Sequence, residues 1–236
     1  MEEVVKGIML GGVNYGENDK ILNVFTMEKG VISARIKGVK KAGAKLKFCS
    51  EPFCFAEYDL FCSGEKASVI GASLIDSFYP LRENLDKFYC ASATAEFIRR
   101  FLKSGMVSPE TFSLTCNTLK DLAYGDEEPF SVCVKFFLSV LKFSGYGLNL
   151  DGCVSCGNEI KERPFFDAES GGFFCEKCAG GGREINYATL RALVRAENGM
   201  KLGREEAKFA LRLIEFYIGV KTEENLTALK QLIRLP

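Results

Sequence analysis

Over the first eighty residues, apolar and polar positions alternate in short runs of strand length. The opening run VVKGIMLGGV is rich in β-branched and aliphatic residues and closes on glycines. Two further apolar runs, 21–27 and 31–39, flank EKG, which sets Gly30 in a hairpin turn. EPFCFAEYDLFC alternates at roughly period two through Phe53, Phe55, Tyr58 and Leu60, and KASVIGASLIDSFYP reads as a further strand. Four to five short strands without a long helical pattern predict a small antiparallel β-barrel over 1–80. By strand count, a small sandwich or an SH3-like barrel fits as well.

The period changes after Pro80. LRENLDKFYCASATAEFIRRFLKSG spaces Leu81, Leu85, Phe88, Tyr89, Ala95, Phe97, Ile98, Phe101 and Leu102 as one helix face, with a stop expected at Gly105. SPETFSLTCNTLKDLAYGD has Ser108 as N-cap and Pro109 at the first helical position, and ends near Gly125. PFSVCVKFFLSVLKFSGYG is apolar around too much of its circumference for a surface helix, and is expected at the centre of a bundle. NYATLRALVRAENG, GREEAKFALRLIEFYIGVKT and the short NLTALKQLIRL complete the helices. The predicted class is α+β: a barrel over 1–80, then an α-helical domain over 81–236 carrying a cysteine segment at 151–182.

Composition adds limits. No run of about 18 apolar residues is present, so no membrane span is expected. MEEVVKGIML is acidic and lacks the features of a signal peptide, which predicts a cytoplasmic protein. The 31 basic and 31 acidic residues cancel, yet no acid lies between Glu28 and Glu51, so a local surface can be strongly positive. The chain has no histidine, which excludes Ser-His and Cys-His catalysis and histidine metal sites. GGVNYGENDK has neither the spacing nor the following helix of a phosphate loop, and reads as a turn between strands. The pairs Glu127/Glu128 and Glu223/Glu224 sit in turn or helix-start contexts. No active site assembles, and a non-enzymatic protein is expected.

Four of the ten cysteines form a pattern: Cys153-x2-Cys156, eighteen residues, then Cys175-x2-Cys178. Two cysteines three apart on a tight turn aim both sulfurs at one ion, and two such turns close a tetrahedron with no open position. This predicts a structural Zn2+ site. A rubredoxin-like iron site, or redox or unrelated cysteines, are the alternatives. Gly157 follows the first pair. Ala179 follows the second, with three glycines behind it. The connector predicts a hairpin, with strands 164–167 and 172–174 around ESGG. Cys49, Cys54, Cys62, Cys90, Cys116 and Cys133 are expected to behave as small buried hydrophobes.

RIKGVKKAGAKLK is the second informative stretch. Arg35, Lys37, Lys40, Lys41, Lys45 and Lys47 fall at the end of a predicted strand and in the loop after it, where small residues leave room for movement. Such a loop suits a nucleic-acid backbone, though a solvated loop that merely aids solubility has the same composition. Phe48, Phe53 and Phe55 lie close enough in sequence to stack on bases, or else belong to the barrel core.

Taken together, KGIMLGGVNYGENDKILNVFTMEKGVISARIKGVKK and the late Cys-x2-Cys…Cys-x2-Cys knuckle resemble the bacterial RecO family, over nearly the whole chain. The resemblance implies an N-terminal OB-fold, a helical domain and a zinc site. It implies a recombination mediator in DNA repair that binds single- and double-stranded DNA, anneals complementary strands, and is nucleoid-associated. Its implied partners are RecR, the acidic C-terminal tail of single-strand DNA-binding protein (SSB), and in some settings RecF and RecA. Arg99 and Arg100, beside Phe97, Ile98 and Phe101, have chemistry suited to that tail. A zinc-ribbon protein bound to RNA or ribosomes, and an enzyme with a structural zinc, are the competing readings.

Overall fold

Glycine with a positive φ at the EKG turn lets the chain reverse, and two strands pair on either side of it. In the computed structural model, which describes residues 1–64, 66–102 and 105–236, β1 (Glu2–Tyr15), β2 (Asp19–Thr26), β3 (Gly30–Ile36), β4 (Phe55–Ser63) and β5 (Lys66–Asp76) form a closed barrel. Its order is β1-β2-β3-β5-β4. Four seams are antiparallel. The fifth is parallel and is the shortest, pairing only Ala34, Arg35 and Ile36 with Ala67, Ser68 and Val69. This is the OB-fold arrangement, so the sandwich and SH3-like alternatives fall away. A bulge between Met9 and Gly11 bends β1, allowing one long strand to pair with both β2 and β4.

Period-two patterning fills the barrel. Val5, Met9, Leu22, Val24, Ala34, Ile36, Ala56, Tyr58, Leu60 and Val69 are buried inside it. Two compact units make up the chain, Met1–Tyr124 and Gly125–Pro236. The strands end at residue 76, and three helices complete the first unit: α1 (Pro80–Glu83), α2 (Leu85–Phe101) and α3 (Pro109–Tyr124). Phe112 of α3 meets the edges of Phe25 and Phe55, at ring distances of 5.3 and 6.1 Å, and Phe88 of α2 meets Phe53 at 5.6 Å. The α2 helix is capped by Asn84, whose side chain accepts the Lys87 amide at 3.0 Å. It ends at Phe101, before the expected stop at Gly105; residues 103 and 104 lie outside the described residues.

In the second unit, α4 (Pro129–Phe143) buries Phe130, Cys133, Val134, Phe136, Phe137, Val140 and Leu141, as its wide apolar circumference predicts. After it in sequence come α5 (Tyr187–Glu197), α6 (Arg204–Thr222) and α7 (Thr227–Arg234). Between α4 and α5 lies a four-stranded sheet of β6 (Asn149–Cys153), β7 (Phe165–Asp167), β8 (Gly172–Phe174) and β9 (Arg183–Glu184), in the order β6-β8-β7-β9. The β7–β8 pair is the expected hairpin, whereas β6, whose pairing with β8 is interrupted between Asn149 and Cys153, and two-residue β9 were not signalled by the sequence. Phe166 and Phe173 are buried, and Phe166 packs edge-on against Tyr217 of α6 at 5.7 Å. Among the described residues, no helix is long and apolar enough to cross a membrane.

Candidate metal centre and nucleic-acid interface

The four cysteines converge. The sulfurs of Cys153, Cys156, Cys175 and Cys178 all lie within 4.8 Å of one another. Cys156 and Cys175, from opposite knuckles, are 3.9 Å apart. A tetrahedron with metal–sulfur bonds of about 2.3 Å has edges of about 3.8 Å, so four thiolates here fit a zinc ion without an open position. Each arm has its own local cause. In the first, Gly157 takes φ +72° and its amide donates to the Cys153 carbonyl at 2.8 Å, closing the turn. In the second, Glu176–Cys178 is a short 3-10 turn, Ala179 stays right-handed, and Gly180 takes the positive φ instead.

The sulfurs are electrostatically tuned. Burial opposes ionisation of Cys153, but backbone amides of Cys175, Cys156 and Ser155 aim at its sulfur and together lower it to about 6. Cys178 is pushed up to about 12, foremost by its hydrogen bond with Cys175. The cluster therefore retains protons that a bound cation would displace. The remaining six cysteines lie outside this cluster. Cys49, Cys54, Cys90 and Cys133 are buried, and burial raises the thiols of Cys49 and Cys116 to about 11 and Cys54 to about 12. Cys62 is half-buried and donates to Glu3 Oε1 at 2.9 Å, which raises its thiol.

The basic loop is more ordered than its small residues suggested. From Gly38 to Ser50 it winds through successive turns, closed by the amides of Lys41, Ala44, Lys47 and Ser50 on carbonyls three residues back, at 3.1–3.2 Å. Val39 and Cys49 are buried against the barrel core, with Leu46 and Phe48 packed beside them. Tyr58, buried inside the barrel, donates to the Cys49 carbonyl at 3.0 Å. With its apolar residues turned inward, the loop displays Lys37, Lys40, Lys41, Lys45 and Lys47 to solvent. Among the described residues, none of these five lysines has a salt-bridge partner. Arg35 differs: it is half-exposed and pairs with Asp19 at 2.6 Å.

Asp19 is the residue that sequence reasoning missed. One oxygen accepts the Arg35 guanidinium, and the other accepts the Gly38 amide at 2.8 Å. The Gly38 amide first, and Arg35 next, hold its carboxyl below the ordinary range. Next to it, the Lys40 amide donates to the Asn18 carbonyl at 3.0 Å, so the last two residues of GEND both hold the loop. The only sequence signal was a pair of acids, Glu17 and Asp19, in a glycine-rich turn. Phe53 is buried, and Phe53 and Phe55 both carry helix contacts, which commits them to packing. Phe97 and Ile98 are likewise buried, with Phe101 stacked on Phe97 at 4.8 Å. Arg99 and Arg100 are exposed, and Arg100 pairs with Glu96 one turn back at 3.2 Å.

Comparison with known proteins accounts for both halves. Residues 1–78 match the family described as Recombination protein O N terminal, and residues 82–230 match Recombination protein O C terminal. The chain is 32% identical over 199 residues to the DNA repair protein RecO of Anaeromyxobacter sp. (strain K), covering 82% of this chain and 78% of that one. It is 29% identical over 230 residues to DNA repair protein RecO of Anaeromyxobacter dehalogenans (strain 2CP-C), covering 90% of both chains. Against DNA repair protein RecO of Acetivibrio thermocellus it is 28% identical over 172 residues, 73% of this chain and 68% of the other. With a five-stranded barrel where the N-terminal match falls and a four-cysteine cluster within the C-terminal one, the chain belongs to the RecO family of DNA repair proteins.

Proposed function

We propose that this protein is a non-enzymatic recombination mediator that binds single- and double-stranded DNA through residues 1–80 and anneals complementary strands. The observation that carries this reading is the cluster of five solvent-facing lysines, without salt-bridge partners among the described residues, held by ordered turns at the side of an OB-fold barrel. Annealing needs no bond chemistry. Two polyanionic strands repel, and a cationic surface lowers that repulsion while releasing condensed counterions. Lys37, Lys40, Lys41, Lys45 and Lys47 serve as phosphate contacts in this reading, and Arg35 contributes a charge partly offset by Asp19. The four cysteines hold a structural Zn2+ that clamps the small sheet of the helical part. In the same reading the protein acts with RecR, and in some settings RecF, to load RecA onto SSB-coated DNA in the nucleoid, and its helical part takes the acidic SSB tail.

The test is annealing of two complementary oligonucleotides, one coated with SSB, with and without the protein. Acceleration that fades with salt is the expected result. In the Lys40→Glu/Lys41→Glu double variant the slope of log affinity against log salt on single strands should fall by roughly 1.4, at about 0.7 per phosphate contact. Unchanged annealing upon adding the zinc-loaded protein would overturn the proposal.

A further inference from the structure

We propose that Tyr15 is a base-stacking residue that gives the protein its grip on unpaired nucleotides, beside a lysine loop that holds only the backbone. The proposal rests on the DNA-binding reading above and goes further by separating single-strand from duplex recognition. Tyr15 ends β1 at the tip of the β1–β2 hairpin and is 48% exposed, although its size and aromaticity favour burial. The Arg35 guanidinium lies over its ring, 4.8 Å from the centroid. That guanidinium is itself fixed, since Asp19 accepts from its Nε at 3.0 Å and its Nη2 at 2.6 Å. Tyr15 is therefore backed by a planar cation that a carboxylate holds in place, and the exposed part of the ring faces solvent already ordered.

The neighbours extend this platform. Val13, Ile21 and Arg35 are cross-strand partners in one register row, and Tyr15 pairs with Asp19 at the hairpin tip. Val13 is 57% exposed. On the same sheet, Phe25 is covered by Phe112, so the end bearing Tyr15 is the part left open. The lysine loop is attached to this hairpin at two points, Gly38 to Asp19 and Lys40 to Asn18, and phosphates on the loop bring their bases within reach of it. Every base has a π-face, so stacking here is sequence-tolerant. It requires an unpaired base, because bases within a duplex present their faces only to one another.

The chain has no tryptophan, which supplies a clean probe. Tyr15→Trp introduces a single indole, whose emission should be quenched by a single-stranded oligonucleotide and left unchanged by the blunt duplex of the same sequence. In parallel, Tyr15→Ala should weaken single-strand binding on the order of tenfold, with duplex affinity and both salt slopes retained, while Tyr15→Phe should bind as the unaltered protein does. Absence of quenching, or equal loss of single-strand and duplex binding in Tyr15→Ala, would overturn this inference. If Lys40→Glu/Lys41→Glu still weakens binding in that case, the DNA-binding reading survives alone. Failure of the unaltered protein to bind either DNA would overturn both.

Discussion

A single carboxylate ties the start of the lysine loop to the β1–β2 hairpin. Asp19 accepts the Gly38 amide and the Arg35 guanidinium, and both favour its charged form. Its pKa is lower folded than unfolded, so its contribution is fully present above about pH 4 and is lost as pH falls through the lowered value. The Gly38 amide resonance should therefore titrate on the acid side of pH 4 in a nuclear magnetic resonance experiment. Asp19→Asn, which keeps an acceptor for that amide but loses the ion pair, should abolish the titration. Tyr58 acts on the same loop from the other side. Replacing it with Phe leaves the Cys49 carbonyl without its buried donor, and should lower unfolding free energy by about 1–2 kcal/mol in denaturant titration. Sequence did show Gly30 as a turn residue, and its φ of +66° agrees. It did not show that a side chain there would also overlap the Met106 backbone, because that approach joins residues far apart in the chain.

At the scale of elements, what could be read in advance was whatever repeats. Four to five strand-length apolar runs and the longer helices of period 3.6 announce themselves, as do four cysteines at two matched spacings. The pieces that could not be read are short or held from outside. Strand β9 is two residues long and exists because β7 pairs with it, and α1 is one turn started at Pro80. The lysine loop looked mobile because its residues are small, whereas its order comes from Val39 and Cys49 sinking into a core built by other strands. The knuckle depends on both kinds of support. Phe166 and Phe173 give it an apolar anchor, yet β7 and β8 are only three residues long, so a metal held by the four cysteines would secure the remainder. Cys175→Ser should leave the protein without stoichiometric zinc by elemental analysis. It should also make the backbone between 149 and 184 the first cut by limited proteolysis. A metal-free variant as resistant as the parent would show that the sheet stands by itself.

On the scale of the molecule, two compact units fit two separate sources of stability, a closed barrel with its helices and a helical unit with a four-cysteine cluster able to hold a metal. Strong chelation should accordingly lower one calorimetric transition and leave the other in place. The barrel, for its part, is only as secure as its weakest joint. Three residue pairs close β3 on β5, and the lysine loop begins one residue after the last of them. Amides along that joint should exchange with deuterium before those of the β1–β2 and β4–β5 seams. In the proposed DNA-binding mode, a strand bearing on Lys37 or Lys40 would pull directly on this clasp. Bound DNA then either fastens the joint or works it loose, and the protection of Ser68 and Val69 records which, so that the barrel doubles as a gauge of the load it carries.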